Sequence, residues 1–273
     1  EPAIRKRLGE GGGCSLEFLN RLAAVRGQEF ESFDELQDKA GKLLAGHGGW
    51  QGKVVRNAML DEANTFLDVV YCLDADTGKT LWKKTFPGNA PSMIQINWTA
   101  SSTPTVSGDH CFVQGSAALY CFSVNNGNLV WKTETGISNV SPLVKGNTVF
   151  EMGPGLAAYD AATGKTLWSL PEIEHRSSSP VFWNNNGKTC IICYSGYKIV
   201  CVDASKGKVM WKTRFSKGKS DPSPIVVGDI AVARGYSSLV CYKLTPGEPQ
   251  ELWSLNEGNR GSSPVVYNGL VYI

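Results

Sequence analysis

The chain has 273 residues, of which 42% are hydrophobic and 19% charged, and its net charge is +2. That is enough apolar material for a large core, and too even a charge balance to point to nucleic acid or an anionic membrane. No apolar run approaches the ~18 residues of a membrane span, and no signal peptide opens the chain, although it begins with Glu1 rather than Met, as it would after removal of a leader.

Residues 1–49 have a helical pattern. Ser15 precedes Leu16, Leu19, Leu22 and Ala23, which share one face of a short helix. Ser32 and Glu35 form a capping-box signature ahead of Phe33, Leu36, Ala40, Leu43 and Leu44, a second amphipathic helix. No catalytic cluster lies in this segment, so it reads as a helical cap or insertion. From residue 50 onward the pattern changes. Residues 52–59 are assigned one strand, and beyond them thirty glycines and thirteen prolines, spread along the whole chain, punctuate short apolar runs.

Those runs repeat. Trp82, Trp131, Trp168, Trp211 and Trp253 each end a similar phrase and stand 49, 37, 43 and 42 residues apart. Ten positions before the first four lies a small residue (Cys72, Cys121, Ala158, Cys201). Before Trp253 the equivalent Cys241 is twelve away, because residues 245–249 lengthen the turn. A second phrase, beginning at a Pro (Pro104, Pro142, Pro180, Pro224, Pro264), precedes each later unit or ends the chain. Each phrase reads as a hairpin, with turns such as Ser107-Gly108-Asp109 and Asp76-Thr77-Gly78 supplying positive φ. Four strands per ~40-residue period predict an all-β propeller of four-stranded antiparallel blades over residues 50–273. About five repeats are present, with the last blade incomplete. The apolar strand at Ile273 favours part of a seven- or eight-bladed ring over a closed five-bladed one.

The phrase D-A-x-T-G-K-x-L-W, nearly whole at 74–82 and 160–168, resembles the pyrroloquinoline-quinone (PQQ)-type propeller repeat. The resemblance covers roughly residues 71–273. It extends to quinoprotein alcohol dehydrogenases and to non-catalytic relatives such as the propeller lipoprotein of bacterial outer-membrane protein assembly. It implies the fold and leaves the function open, because packing residues carry it.

Cys72, Cys121, Cys201 and Cys241 fill one equivalent site in different blades. Packed sheets stand ~10 Å apart, beyond the ~7 Å reach of a disulfide, so these cysteines read as buried small hydrophobes. Cys190 and Cys193 point to opposite faces of one strand, a weak metal or redox signal, and Cys14 and Cys111 receive no role. No vicinal cysteine pair of the kind the quinoprotein resemblance implies is present. His47, His110 and His175 lack metal-ligand spacing. Asp74, Asp160 and Asp203 recur at one position, which points to a turn role, since an active site needs a residue once.

Propeller ligands bind on the face bearing the blade-to-blade loops and the loops between second and third strands. Those loops hold Trp98, Asn139, Arg176, Lys219 and Arg260, with Tyr197 and Tyr236, an expected axial funnel for a carboxylate-bearing or extended peptide ligand. With no acid, base, nucleophile or metal constellation complete, the sequence favours a non-catalytic scaffold in the cell envelope, periplasm or exterior. It would bind a protein or peptide partner, bind no nucleic acid, need no cofactor, and be membrane-associated, if at all, through a lipoprotein anchor outside this chain. Two alternatives stand beside it: a quinoprotein alcohol dehydrogenase using PQQ and Ca²⁺, for which Asp221 is the loop acid to test, and a ligand-sensing domain of a larger protein.

Overall fold

The computed structural model describes residues 20, 24, 31–45, 67–88, 102–136, 138–174, 177–215, 221–257 and 261–273. The chain divides into two units, one of residues 1–67 and 87–99, the other of residues 68–86 and 100–273. In the first, helix α1 (Phe33–Leu43) forms where the capping box places it. The Ser32 hydroxyl accepts from the Glu35 N–H at 3.2 Å, and the acids Asp34 and Glu35 sit in the first turn, where the helix dipole favours them. The helix expected around residues 15–23 and the strand expected at 52–59 lie outside the described residues, apart from Asn20.

The second unit is built of antiparallel sheets in strict sequence order. A leading hairpin pairs β1 (Leu67–Leu73) with β2 (Thr80–Pro87). The first complete blade is β3 (Thr105–Ser107), β4 (His110–Gln114), β5 (Ala118–Ser123) and β6 (Leu129–Glu134). The second is β7 (Leu143–Lys145), β8 (Thr148–Met152), β9 (Leu156–Asp160) and β10 (Thr166–Leu170). The third is β11 (Val181–Asn185), β12 (Lys188–Ser195), β13 (Lys198–Asp203) and β14 (Lys208–Arg214). The fourth is β15 (Ile225–Val227), β16 (Ile230–Arg234), β17 (Leu239–Lys243) and β18 (Gln250–Leu255). A trailing hairpin, β19 (Val265–Tyr267) with β20 (Leu270–Tyr272), repeats the first half of a blade. The turn between β11 and β12 has positive φ at both Asn186 (49°) and Gly187 (84°), the pair that a tight two-residue hairpin demands.

The spacing of ten between small residue and tryptophan is a cross-strand pairing. Trp131 lies opposite Cys121, Trp168 opposite Ala158, Trp211 opposite Cys201 and Trp253 opposite Cys241. A register irregularity follows the small residue in each blade, absorbing the extra turn residue. A bulky indole on one strand thus faces a small side chain on its neighbour, leaving room for the next blade to approach.

Two rows of contacts bind blade to blade. In the outer row, three indole N–H groups donate to a turn carbonyl of the following blade: Trp82 to Val124 (2.9 Å), Trp131 to Ala161 (2.9 Å) and Trp168 to Ala204 (3.0 Å). In the inner row, the residue before each Pro donates its backbone N–H to the hydroxyl of its counterpart one blade on. Thr103 bonds Ser141 (2.8 Å), Ser141 bonds Ser179 (3.1 Å), Ser179 bonds Ser223 (2.8 Å) and Ser223 bonds Ser263 (2.9 Å). The recurring Ser-Pro dipeptide is therefore a side-chain bridge between first strands that cannot hydrogen-bond each other as a sheet. The space between the rows is filled by apolar clusters shared by adjacent blades, such as Phe150, Met152 and Leu156 against Ile191, Val200 and Val202.

The aspartates of the repeat act in turns. Asp74 Oδ1 accepts the Thr77 N–H at 2.8 Å and its hydroxyl at 2.6 Å, and Asp160 does the same with Thr163. These donors hold both carboxyls below the usual carboxylate range, the Thr hydroxyl contributing most. All the described cysteines are free thiols, and all but Cys72, which is half-buried, are buried.

Candidate functional site

One end of the blade stack carries the turns between third and fourth strands, where the repeat is strongest. The other carries the blade-to-blade loops and the turns between second and third strands. There the blades differ from one another.

Asn139, Ser177 and Asp221 each stand three residues before a blade's Pro, so they are equivalent loop positions. The Asn139 Oδ1 and Ser177 Oγ atoms are buried without a hydrogen-bond partner. Asp221 Oδ2 accepts from the Tyr236 hydroxyl at 3.0 Å, joining the loop before the fourth blade to the β16–β17 turn. Tyr197, on the β12–β13 turn, is 43% exposed and lies under the Arg214 guanidinium, 5.7 Å from ring centre to Cζ. Of the residues expected to line a funnel, Asn139, Tyr197 and Tyr236 are thus placed on this face. Trp98, Arg176, Lys219 and Arg260 lie outside the described residues.

Two cavities open on the same face, at equivalent junctions. The larger, about 830 Å³, lies beside Arg214, Phe215, Tyr236, Tyr242 and Glu257. The smaller, about 340 Å³, lies between the first and second blades. It is lined by Glu134, Thr135, Glu151, Pro154, Tyr159 and Pro171 among others. Sequence reasoning did not single out Glu151, which is 1% exposed. Its signal was present: the carboxylate interrupts an apolar strand at a position where the other blades carry Val113, Cys193 and Ala233. Burial pushes its carboxyl up to about 8, against the opposing pull of the Ser138 hydroxyl and the Gly153 N–H.

Among the described residues, this face carries the acids Asp221, Glu134 and Glu151 beside Arg214. Among the described residues, no three His, Cys, Asp or Glu side chains gather in a form that could hold a metal ion. No described helix is long and apolar enough to cross a membrane.

Comparison with known proteins fits this architecture. Residues 68–273 match the family described as outer membrane protein assembly factor BamB. The BamB of Burkholderia pseudomallei is 30% identical over 109 residues, 38% of this chain and 28% of that protein. The BamB of Yersinia pestis is 26% identical over 75% of this chain and 56% of its own length. A tetrathionate hydrolase of Acidithiobacillus ferrooxidans is 25% identical over 93% of this chain and 56% of its length. The crystal structure of BamB from Moraxella catarrhalis superposes with a TM-score of 0.57 at 20% identity, over 74% of this chain and 63% of that one. The chain spans about half the length or less of the curated relatives it matches. With four complete PQQ-type blades, their tryptophan latches and a family match across residues 68–273, the chain belongs to the BamB family of β-propellers.

Proposed function

We propose that this propeller is a binding scaffold of the cell envelope that holds a protein partner in outer-membrane assembly on its loop face. The observation that supports the reading is how variation is distributed over the blades. Tryptophan latches, Ser-Pro bridges and aspartate turns repeat from blade to blade, whereas Asn139, Ser177, Asp221 with Tyr236, and Tyr197 with Arg214 differ at equivalent loop positions. A rigid repeated frame presenting a non-repeated rim suits recognition of an extended protein surface. Exposed or half-exposed tyrosines are favoured anchors on such surfaces, because they contribute large area at low entropic cost. Arg176, Lys219 and Arg260 belong to the same set of loops and are proposed to contribute charge to the rim. No cofactor is required by this reading.

The test is co-purification of envelope partners with the intact protein and with a Tyr197→Ala, Tyr236→Ala double variant. Loss of a defined outer-membrane assembly partner, with unfolding behaviour unchanged, is expected. Retention of all partners at wild-type yield contradicts the proposal. Turnover of tetrathionate, or saturable PQQ binding with Ca²⁺ coupled to dye-linked alcohol oxidation, replaces it with a catalytic one.

A further inference from the structure

Glu151 stands at a position that the repeat reserves for apolar side chains. In every complete blade, the residue after the cross-strand partner of the small residue faces the preceding blade. Phe112, Phe150, Ile192 and Val232 are those partners. The next residues are Val113, Glu151, Cys193 and Ala233. Three are apolar and buried, and they pack into the clusters between blades. The fourth is a carboxyl, 1% exposed, whose Oε1 has no hydrogen-bond partner. An isolated buried polar atom costs ~1–3 kcal/mol, and each such group in a folded protein calls for an explanation.

The surroundings supply one. Glu151 does not sit in sealed packing: it lines the cavity of about 340 Å³ between the first and second blades. That volume is at the lower end of ligand pockets, which start near ~300 Å³. The walls are Pro154, Ala157, Tyr159 and Pro171, and Glu134 stands among the lining residues. Among the described lining residues, none is Lys, Arg or His. The turn beside it is closely fitted, since a Cβ on Gly153 would fall 2.5 Å from the Thr135 carbonyl oxygen and 3.0 Å from Glu151 Oε2. The Ser138 hydroxyl and the Gly153 N–H hold the carboxyl from one side.

We infer that this inter-blade cavity is a binding site for a cationic hydrogen-bond donor, an amine or guanidinium on a short aliphatic stem, with Glu151 as its buried counter-charge. Such a group satisfies the orphaned Oε1, and its stem is suited to the proline and tyrosine walls. Free small amines and the Lys or Arg side chain of a bound peptide share this chemistry. The inference does not rest on the partner-binding reading, because the cavity takes a small probe whether or not the loop face holds a protein.

Binding is coupled to a proton. Glu151 is protonated below about 8; a bound cation favours the carboxylate, so occupation releases the proton. Among the described residues, the other titratable groups bordering the cavity are Glu134 from β6, ion-paired with Lys132 at 2.6 Å, and Tyr159 from β9, which burial pushes up to about 12. Tyr159 keeps its proton between pH 6.5 and 8.5, and affinity should rise roughly tenfold per pH unit until it levels off above about 8.

The experiment is a calorimetric titration of the whole protein with n-butylguanidinium at pH 6.5 and 8.5, using the wild type, Glu151→Gln and Glu151→Val, with neutral n-butylurea as the matched control. Valine is the residue the first blade uses at this position, so that variant keeps the fold, which circular dichroism checks. Saturable binding that is at least about tenfold tighter at pH 8.5, and lost in both variants, is expected. A peptide arm compares an arginine-containing peptide with its citrulline counterpart. Tighter binding of the arginine peptide than of n-butylguanidinium identifies a protein side chain as the source, and equal binding a free amine. No saturable binding up to about 10 mM at pH 8.5, equal binding of n-butylurea, or undiminished binding by Glu151→Val overturns the inference.

Discussion

Gly164 lies flat against Trp131. A Cβ built on the glycine would fall 2.6 Å from the ring's Cε3, and the glycine's φ is +70°. The glycine belongs to the second complete blade and the tryptophan to the first. Gly127 stands in the same relation to Trp82, and Gly207 to Trp168, with approaches of 2.6 and 2.5 Å. Each such glycine both turns its own hairpin and gives the preceding blade's indole a backbone surface to rest on.

Gly164→Ala is expected to destabilise the protein by about 2–4 kcal/mol. About 1 kcal/mol comes from the left-handed backbone and the rest from overpacking against the ring. Gly78→Ala is the control. It has nearly the same φ, +68°, but open space where the Cβ would go, so only about 1 kcal/mol should be lost. Urea unfolding of both variants measures the difference. Equal losses would remove the stacking role.

The indole hydrogen bond is present in three junctions and missing in the next. Trp211 Nε1 is buried with no partner, and the turn that should meet it, 245–249, is lengthened and carries no stacking glycine: a Cβ on Gly247 would meet nothing nearer than 3.9 Å. Trp183 instead donates to Asp229 Oδ1 at 3.1 Å across the same two blades. Trp131→Phe should therefore cost about 1 kcal/mol more than Trp211→Phe, because only the former orphans a carbonyl, that of Ala161. Denaturant midpoints of the two variants check this.

The Ser-Pro bridges are tested by Ser179→Ala. It removes the acceptor of the Ser141 N–H while leaving the Ser179 N–H bonded to Ser223. A loss of about 1–2 kcal/mol is expected, and faster hydrogen exchange at the Ser141 amide should accompany it. Unchanged exchange at Ser141 would show that the bond is not kept in solution.

The four-stranded repeat, the hairpin turns and the packing role of the tryptophans could be read from the sequence because a repeat exposes its own rules. Positions that stay apolar, small or Gly in every copy are those the architecture constrains. The Ser-Pro dipeptide was visible as a recurrence, but its bridging required knowing that first strands of successive blades lie side by side. The candidate site was less legible for the converse reason. Asn139, Tyr197 and Tyr236 were placed on the loop face by topology alone, whereas Glu151 hides inside an apolar strand and only alignment of the blades reveals it as an exception. Its lack of a partner and the cavity beside it depend on the inter-blade distance, which no local pattern encodes.

Glu151 also carries a pH signature. Below pH 4.5 the carboxyl is protonated in folded and unfolded states alike, and the stability it permits is fully present. Between pH 4.5 and about 8 the unfolded chain ionises while the buried group stays protonated, so wild-type stability falls by up to about 1.4 kcal/mol per unit. Glu151→Val removes this term. Its stability advantage should widen across that window to the order of a few kcal/mol and level off above about 8, as followed by thermal unfolding in buffers from pH 4.5 to 9. A constant advantage would mean that the group titrates normally.

The central claim, that the loop face holds a protein partner, is tested most directly by site-specific photocrosslinking in the cell that makes this protein. A photoreactive residue replaces Tyr197 or Tyr236 on the loop face, or Thr163 or Ser205 in the turns at the opposite end. A defined envelope protein captured from positions 197 and 236, and not from 163 and 205, is the predicted result. No adduct from the loop face, or the same adducts from both ends, would contradict it.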